Sequence, residues 1–193
     1  MATSQKHILV ALVEDKPGVL NRVSSLFRRR NFNIESIAVG HSAQPQLSRM
    51  TIVVEGDNAK VEQARKQLDK LVEVVKIVDI TNYNSVIREL ALIKVKANHA
   101  TRSEIIQTVD IFRANIVDVS ADSLVIEVTG DGDKVDSLLE LLRGFGIREI
   151  ARTGIIAMIR GGSGPLLVED EKASNTSRRI LSSRKATASA PDW

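Results

Sequence analysis

The feature that most constrains this chain is a duplication. F-N-I-E-S at residues 32–36 is answered by A-N-I-V-D at residues 114–118, an offset of 82. Around each copy the same order of patterns recurs. In the first half, residues 7–13 form an apolar, β-rich run. Val19, Leu20, Val23, Leu26 and Phe27 then recur at the spacing of one helix face. A second strand runs from residue 33 to about 39, and Gly40 and His41 open the loop after it. In residues 47–55 Met50, Ile52 and Val54 alternate with Arg49, Thr51 and Val53, which predicts a third strand. Gly56, Asp57 and Asn58 break that strand and offer a cap, and Val61, Ala64, Leu68 and Leu71 stripe a second helix. Residues 72–80 supply a fourth strand.

The second half repeats this order. Residues 89–97 predict a strand. Thr101 and Glu104 have the spacing of a capping box, and Ile105, Ile106, Val109 and Phe112 give a helix face. Residues 115–119 and 123–129 read as a hairpin turning at Ala121 and Asp122. Asp131 follows Gly130 as a helix cap before a stripe of Val135, Leu138, Leu139 and Leu142, and Gly144 and Gly146 close it. Residues 147–159 hold the last strand or two. The fold class is therefore α+β: two tandem ferredoxin-like βαββαβ domains. The expected boundaries are 5–80, a polar connector 81–87, 88–161, and a Gly-, Ser- and Ala-rich tail 162–193, expected to be disordered.

The first loop carries the chemistry. Gly18 has no Cβ, so a ligand can approach the backbone there. The free N–H groups at a helix start attract an anion. Asp15 sets a carboxylate beside the same point, with Pro17 between. A small zwitterion suits this pair. The competing reading is that Asp15 only caps the helix and Gly18 only eases a turn. The second copy has Asn98-His99-Ala100-Thr101 here, without Pro or Gly, so a ligand is expected in the first domain alone. Arg28, Arg29 and Arg30 crowd the end of the first helix, where cations suit its dipole. They also offer a contact for an acidic partner.

Several classes are excluded. The chain has no Cys, so it has neither a disulfide framework nor thiolate chemistry. His7, His41 and His99 are not at metal-ligand spacing, and no catalytic constellation is found. Net charge is only +3 and aromatic content 3%, which argues against nucleic acid, and the strands at 50–54 and 124–128 carry no aromatic platform. No apolar run reaches the ~20 residues of a membrane span, and no signal core follows the N-terminus. A cytoplasmic protein is expected.

V-E-D-K-P-G-V-L-N-R-V followed by F-N-I-E-S resembles the ligand loop and second strand of an ACT domain. Further stretches narrow the resemblance: L-S-R-M-T-I-V-V (47–54), K-Q-L-D-K-L-V-E-V (66–74), R-E-L-A-L-I-K-V (88–95), I-F-R-A-N-I-V-D-V (111–119) and G-I-R-E-I-A-R-T-G (146–154). Together they resemble the small, regulatory subunits of acetolactate synthase over about residues 6–161. The resemblance implies an N-terminal ACT domain and an ACT-like second domain, in a homodimer through the ACT domain. It implies no catalytic residue, metal or cofactor in this chain. The partner is a large subunit carrying thiamine diphosphate, magnesium and FAD, which this chain would activate and make sensitive to valine or another branched-chain amino acid. The effector residues implied are Asp15, Gly18, Val19 and Leu20 from one protomer, with Asn33 and Ile34 from the facing one. The other reading left open is a free-standing ACT-type amino-acid sensor, which should carry a DNA-binding helix pair.

Overall fold

A strand that alternates apolar residues must bury one face, and a striped helix must bury its stripe; each half of the chain answers both demands in one layer pair. The computed structural model describes residues 5–161, so the expectation for the tail from 162 lies outside the described residues. The first half runs β1 (Gln5–Glu14), α1 (Val19–Arg29), β2 (Ile34–His41), β3 (Leu47–Gly56), α2 (Asn58–Leu68) and β4 (Val74–Asp79). The second runs β5 (Ser85–Lys96), α3 (Arg102–Ile111), β6 (Asn115–Val119), β7 (Ser123–Gly130), α4 (Gly132–Arg143), β8 (Ile147–Arg152) and β9 (Ile156–Ile159).

Both sheets are antiparallel. The first has the order β2-β3-β1-β4, and the second has β6-β7-β5-β8. This is the expected double βαββαβ architecture. Strand β5 begins at Ser85, inside the stretch read as connector, because its first residues pair with β9: Ser85 faces Ile159 and Arg88 faces Ile156. Strand β2 continues through His41, which pairs with Ser48, so His41 ends a strand instead of lying in a loop.

Leu9, Ala11 and Val13 of β1 and Met50, Ile52 and Val54 of β3 pack under Val23, Leu26 and Phe27 of α1 and Val61, Ala64 and Leu68 of α2. Phe27 is fully buried and meets Phe32 edge to face at 6.2 Å. Burial of such a side chain is worth roughly 1.5–3 kcal/mol. Leu20 departs from the expected stripe: it is 49% exposed, facing away from the core beside the first loop. Ile106 is likewise half out of its expected face.

The opposite face of the first sheet is also covered. Val10 and Ile80 form a second cluster with Ala157, Ile87, Ile155 and Ile159 from the far half of the chain. Two polar clasps tie β9 and the residues before it to the first sheet. The Ile155 N–H donates to Ser36 Oγ at 2.9 Å, and Arg49 Nη2 donates to the Ala157 carbonyl at 2.7 Å.

Candidate functional site

The loop after β1 is held from both sides by backbone bonds. The Glu14 N–H donates to the Glu73 carbonyl and the Asp15 N–H to the Gln46 carbonyl, each at 2.8 Å. The chain then turns through Lys16 and Pro17 to Gly18, whose φ of 88° lies in the left-handed region that suits glycine. Gly18, not Asp15, is the N-cap of α1, and no side chain bonds to that helix start. Asp15 was placed as a cap because the residue type fits. The two residues before Gly18 carry the chain past the capping position.

With no side-chain cap, the described residues offer the amides of Gly18, Leu20 and Asn21 no acceptor, while the Val19 amide has a long contact of 3.4 Å to the Lys16 carbonyl. These are the orphan donors of a helix N-terminus, at its positive end. Nothing lies within 4 Å of the position a Gly18 Cβ would take, so the approach is open. Asp15 Oδ2 sits 3.3 Å from His41 Nδ1. An unfilled set of amides and an exposed carboxylate thus share one end of the sheet. Of the expected residues, Val19 has its side chain buried at 5% exposure, which leaves Leu20 as the apolar surface neighbour.

Asn33 and Ile34 lie elsewhere. Ile34 pairs with Val54, and Val54 pairs with His7 near the start of β1. Asp15 follows the other end of that strand. The span from residue 7 to 15 is roughly 25 Å of extended chain, so within one protomer the two groups do not meet. Strand β2 is an edge of the sheet, with one side of its backbone unpaired. Arg28, Arg29 and Arg30 are exposed at the far end of α1, and the described residues give them no ion-pair partner.

The second domain's first loop is closed. Asn98 Oδ1 accepts from the Ala100 N–H at 3.0 Å, the Thr101 N–H at 2.9 Å and the Thr101 hydroxyl at 3.1 Å. The expected capping box at Thr101 is not formed; Thr101 makes no side-chain cap bond to the helix. The chain's own amide oxygen thus takes the amides of Ala100 and Thr101, while those of Ser103 and Glu104 have no acceptor among the described residues.

Sequence reading missed three residues around the first sheet's outer face. His41 was assigned to a loop, Ser36 was quoted only as part of a motif, and Arg49 was seen only as one member of an alternation. The available signal was Arg49 itself, a cation among the outward residues Thr51 and Val53, both buried in the structure.

Comparison with known proteins bears on the whole described chain. Residues 9–76 match the model of the AHAS small subunit-like ACT domain, and residues 88–161 match that of the small subunit of acetolactate synthase. A probable acetolactate synthase small subunit of Archaeoglobus fulgidus is 59% identical over 156 residues, covering 81% of this chain and 98% of that protein. The acetolactate synthase small subunit of Mycolicibacterium smegmatis is 56% identical over 158 residues, covering 82% and 93%. The crystal structure of the small subunit from Thermotoga maritima superposes with a TM-score of 0.76 at 48% identity, covering 82% of this chain and 99% of that one. The chain belongs to the family of acetolactate synthase small subunits.

Proposed function

We propose that this chain is the regulatory partner of an acetolactate synthase catalytic subunit, raising its activity and making it sensitive to valine. The observation that carries this reading is the uncapped start of α1 at Gly18, whose amides have no acceptor beside the exposed carboxylate of Asp15. A free α-amino acid matches that pair. Its carboxylate sits on the amides of Gly18, Leu20 and Asn21, and its ammonium meets Asp15. Its apolar side chain meets Leu20 and residues of a second copy.

The strand order supports a second copy. Antiparallel pairing of β2 with its twofold mate brings Asn33 and Ile34 of one protomer toward the Gly18 end of the other. It also gives acceptors and donors to an edge otherwise left open. Binding in the ~10–100 μM range is worth roughly 5–7 kcal/mol, within reach of one charge pair, a few hydrogen bonds and a small apolar contact. Valine regulates only if it favours one arrangement of the complex over another. The exposed Arg28, Arg29 and Arg30 and the second domain are the surfaces offered to the catalytic subunit, where the thiamine diphosphate, magnesium and FAD reside.

The test is acetolactate formation by the purified catalytic subunit, with and without this chain, across a valine titration. Activation followed by valine inhibition supports the reading. No activation by a folded sample overturns it, and activation without a valine response removes the effector assignment.

A further inference from the structure

A second concave site lies away from the Gly18 loop. A cleft of about 500 Å³ opens between the outer face of the first sheet, at its β2 side, and the ribbon formed by β5 and β9. That volume lies within the roughly 300–1,000 Å³ of small-molecule sites. Its lining is mostly apolar: Ala38 and Val39 on β2, Val86 on β5, and Ile156 and Met158 on β9. Ile156 and Met158 are 58% and 63% exposed, so the cleft leaves hydrocarbon in contact with water.

Its two permanently charged groups are both arginines, beside Thr51 and His41, whose Nδ1 lies 3.3 Å from Asp15 Oδ2. Arg49 is half-buried in the lining, and burial holds its pKa below the ordinary arginine value. Its one hydrogen bond goes to a neutral acceptor, the Ala157 carbonyl at 2.7 Å, and the described residues bring no carboxylate within ion-pair distance. Arg88, exposed in the same lining, donates from Nη1 only to the adjacent Ile87 carbonyl at 2.6 Å. No Asp or Glu lines the cleft. A guanidinium taken partly out of water without a counter-charge is costly, and an anion restores what it has lost.

We propose that this cleft is a binding site for a small amphiphilic monocarboxylate, its carboxylate on Arg49 and Arg88 and its hydrocarbon body against Ala38, Ile156 and Met158. The absence of an acidic lining residue disfavours a ligand with an ammonium group. The site adjoins the one at Gly18 through His41, which lines the cleft and meets Asp15, but shares none of Gly18, Leu20, Asn33 or Ile34 with it.

Octanoate is the probe, titrated into the full-length protein by calorimetry and by amide chemical shifts, with octanamide as the uncharged isostere. Octanoate is expected to saturate one site, shifting the amides of Gly40, Thr51 and Ala157, and to bind about tenfold or more tightly than octanamide. Gly40→Leu fills the cleft from a position where an added Cβ has nothing within 4 Å and φ is ordinary. It should abolish octanoate binding. Arg49→Gln should weaken octanoate about tenfold; Arg88→Gln, at an exposed residue, serves the same purpose if the Arg49 variant does not fold. The proposal is overturned if octanoate does not saturate, if octanamide binds equally well, or if binding survives Gly40→Leu.

Discussion

The two domains share one topology and differ at the start of their first helix. In the first, that start is left without a side-chain cap at Gly18 and keeps its amides free. In the second, α3 likewise has no side-chain cap, but Asn98 turns its own oxygen onto the Ala100 and Thr101 amides, the counterparts of Gly18 and Val19. Free amides at a helix start are a standing cost that a local side chain usually removes. The difference is confined to the loop amide at the glycine position, free at Gly18 and taken by Asn98 at Ala100.

A second difference sits where β1 and β5 enter their sheets. His7 and Glu89 are related by the offset of 82 and occupy matching register positions. Buried His7 meets Asp79 through Nδ1 at 2.9 Å. Buried Glu89 meets Arg152, which also reaches Asp136 on α4 at 2.7 Å. Asp79 and Arg152 in turn match in register. The same place in the fold thus holds a polar pair with its polarity reversed. The second pair is a full ion pair, and the hydrogen bonds that Arg152 donates to Glu89 are the main reason the Arg152 pKa rises.

The largest expected effect tests the difference between the loops. Gly18→Asp adds bulk and negative charge where the effector carboxylate is placed, in a backbone conformation that Asp tolerates better than most residues. Valine affinity should fall more than about a hundredfold, since loss of charge-assisted bonds and added repulsion together exceed roughly 3 kcal/mol. Activation of the catalytic subunit should be kept. Unaltered valine inhibition of this variant would remove the effector from the loop.

Next come the two buried pairs. Arg152→Met leaves the Glu89 carboxylate buried with no charge partner, and should cost about 3 kcal/mol, the low end for breaking a buried ion pair because Arg152 is one-third exposed. Asp79→Ala leaves the His7 ring and Thr81 without their acceptor, and should cost about 1–2 kcal/mol. Urea unfolding of both variants ranks them. Equal losses would mean that the reversed polarity has no energetic consequence.

Local patterns account for most of what the sequence discloses here. The strands and helix stripes follow from period 2 and period 3.6, and the duplication supplies a second reading of each. Asp57 and Asp131 follow glycines and do cap α2 and α4, accepting from the Lys60 and Lys134 N–H groups at 2.9 and 3.0 Å. What was hidden depends on distant partners or on one extra loop residue. Strand β5 starts early because β9, near the end of the described chain, pairs with it. The cleft at Arg49 is closed by Ala157, 108 residues away. Asp15 and Thr101 both have the residue type of a cap; Gly18 takes the helix start in the first loop, and Thr101, although it stands at the N-cap of α3, makes no side-chain cap bond. The Gly18 loop is legible as a candidate site because Gly18 and the carboxylate of Asp15 are local features. The distance between that loop and Asn33 becomes visible only through the strand register.

The smallest effects return to the two loops and separate stability from binding. Asn98→Ala removes the acceptor of two backbone amides and should destabilise the second domain by about 1 kcal/mol, read as a lower urea midpoint. Asp15→Ala should change stability by less than about 0.5 kcal/mol, because Asp15 caps nothing and its contact with His41 is on the surface. The same variant should weaken valine about tenfold by removing the partner of the ammonium, roughly 1.4 kcal/mol. The opposite pattern, a destabilised protein with full valine affinity, would return Asp15 to the role its residue type suggested. The first loop would then be a structural turn like the second.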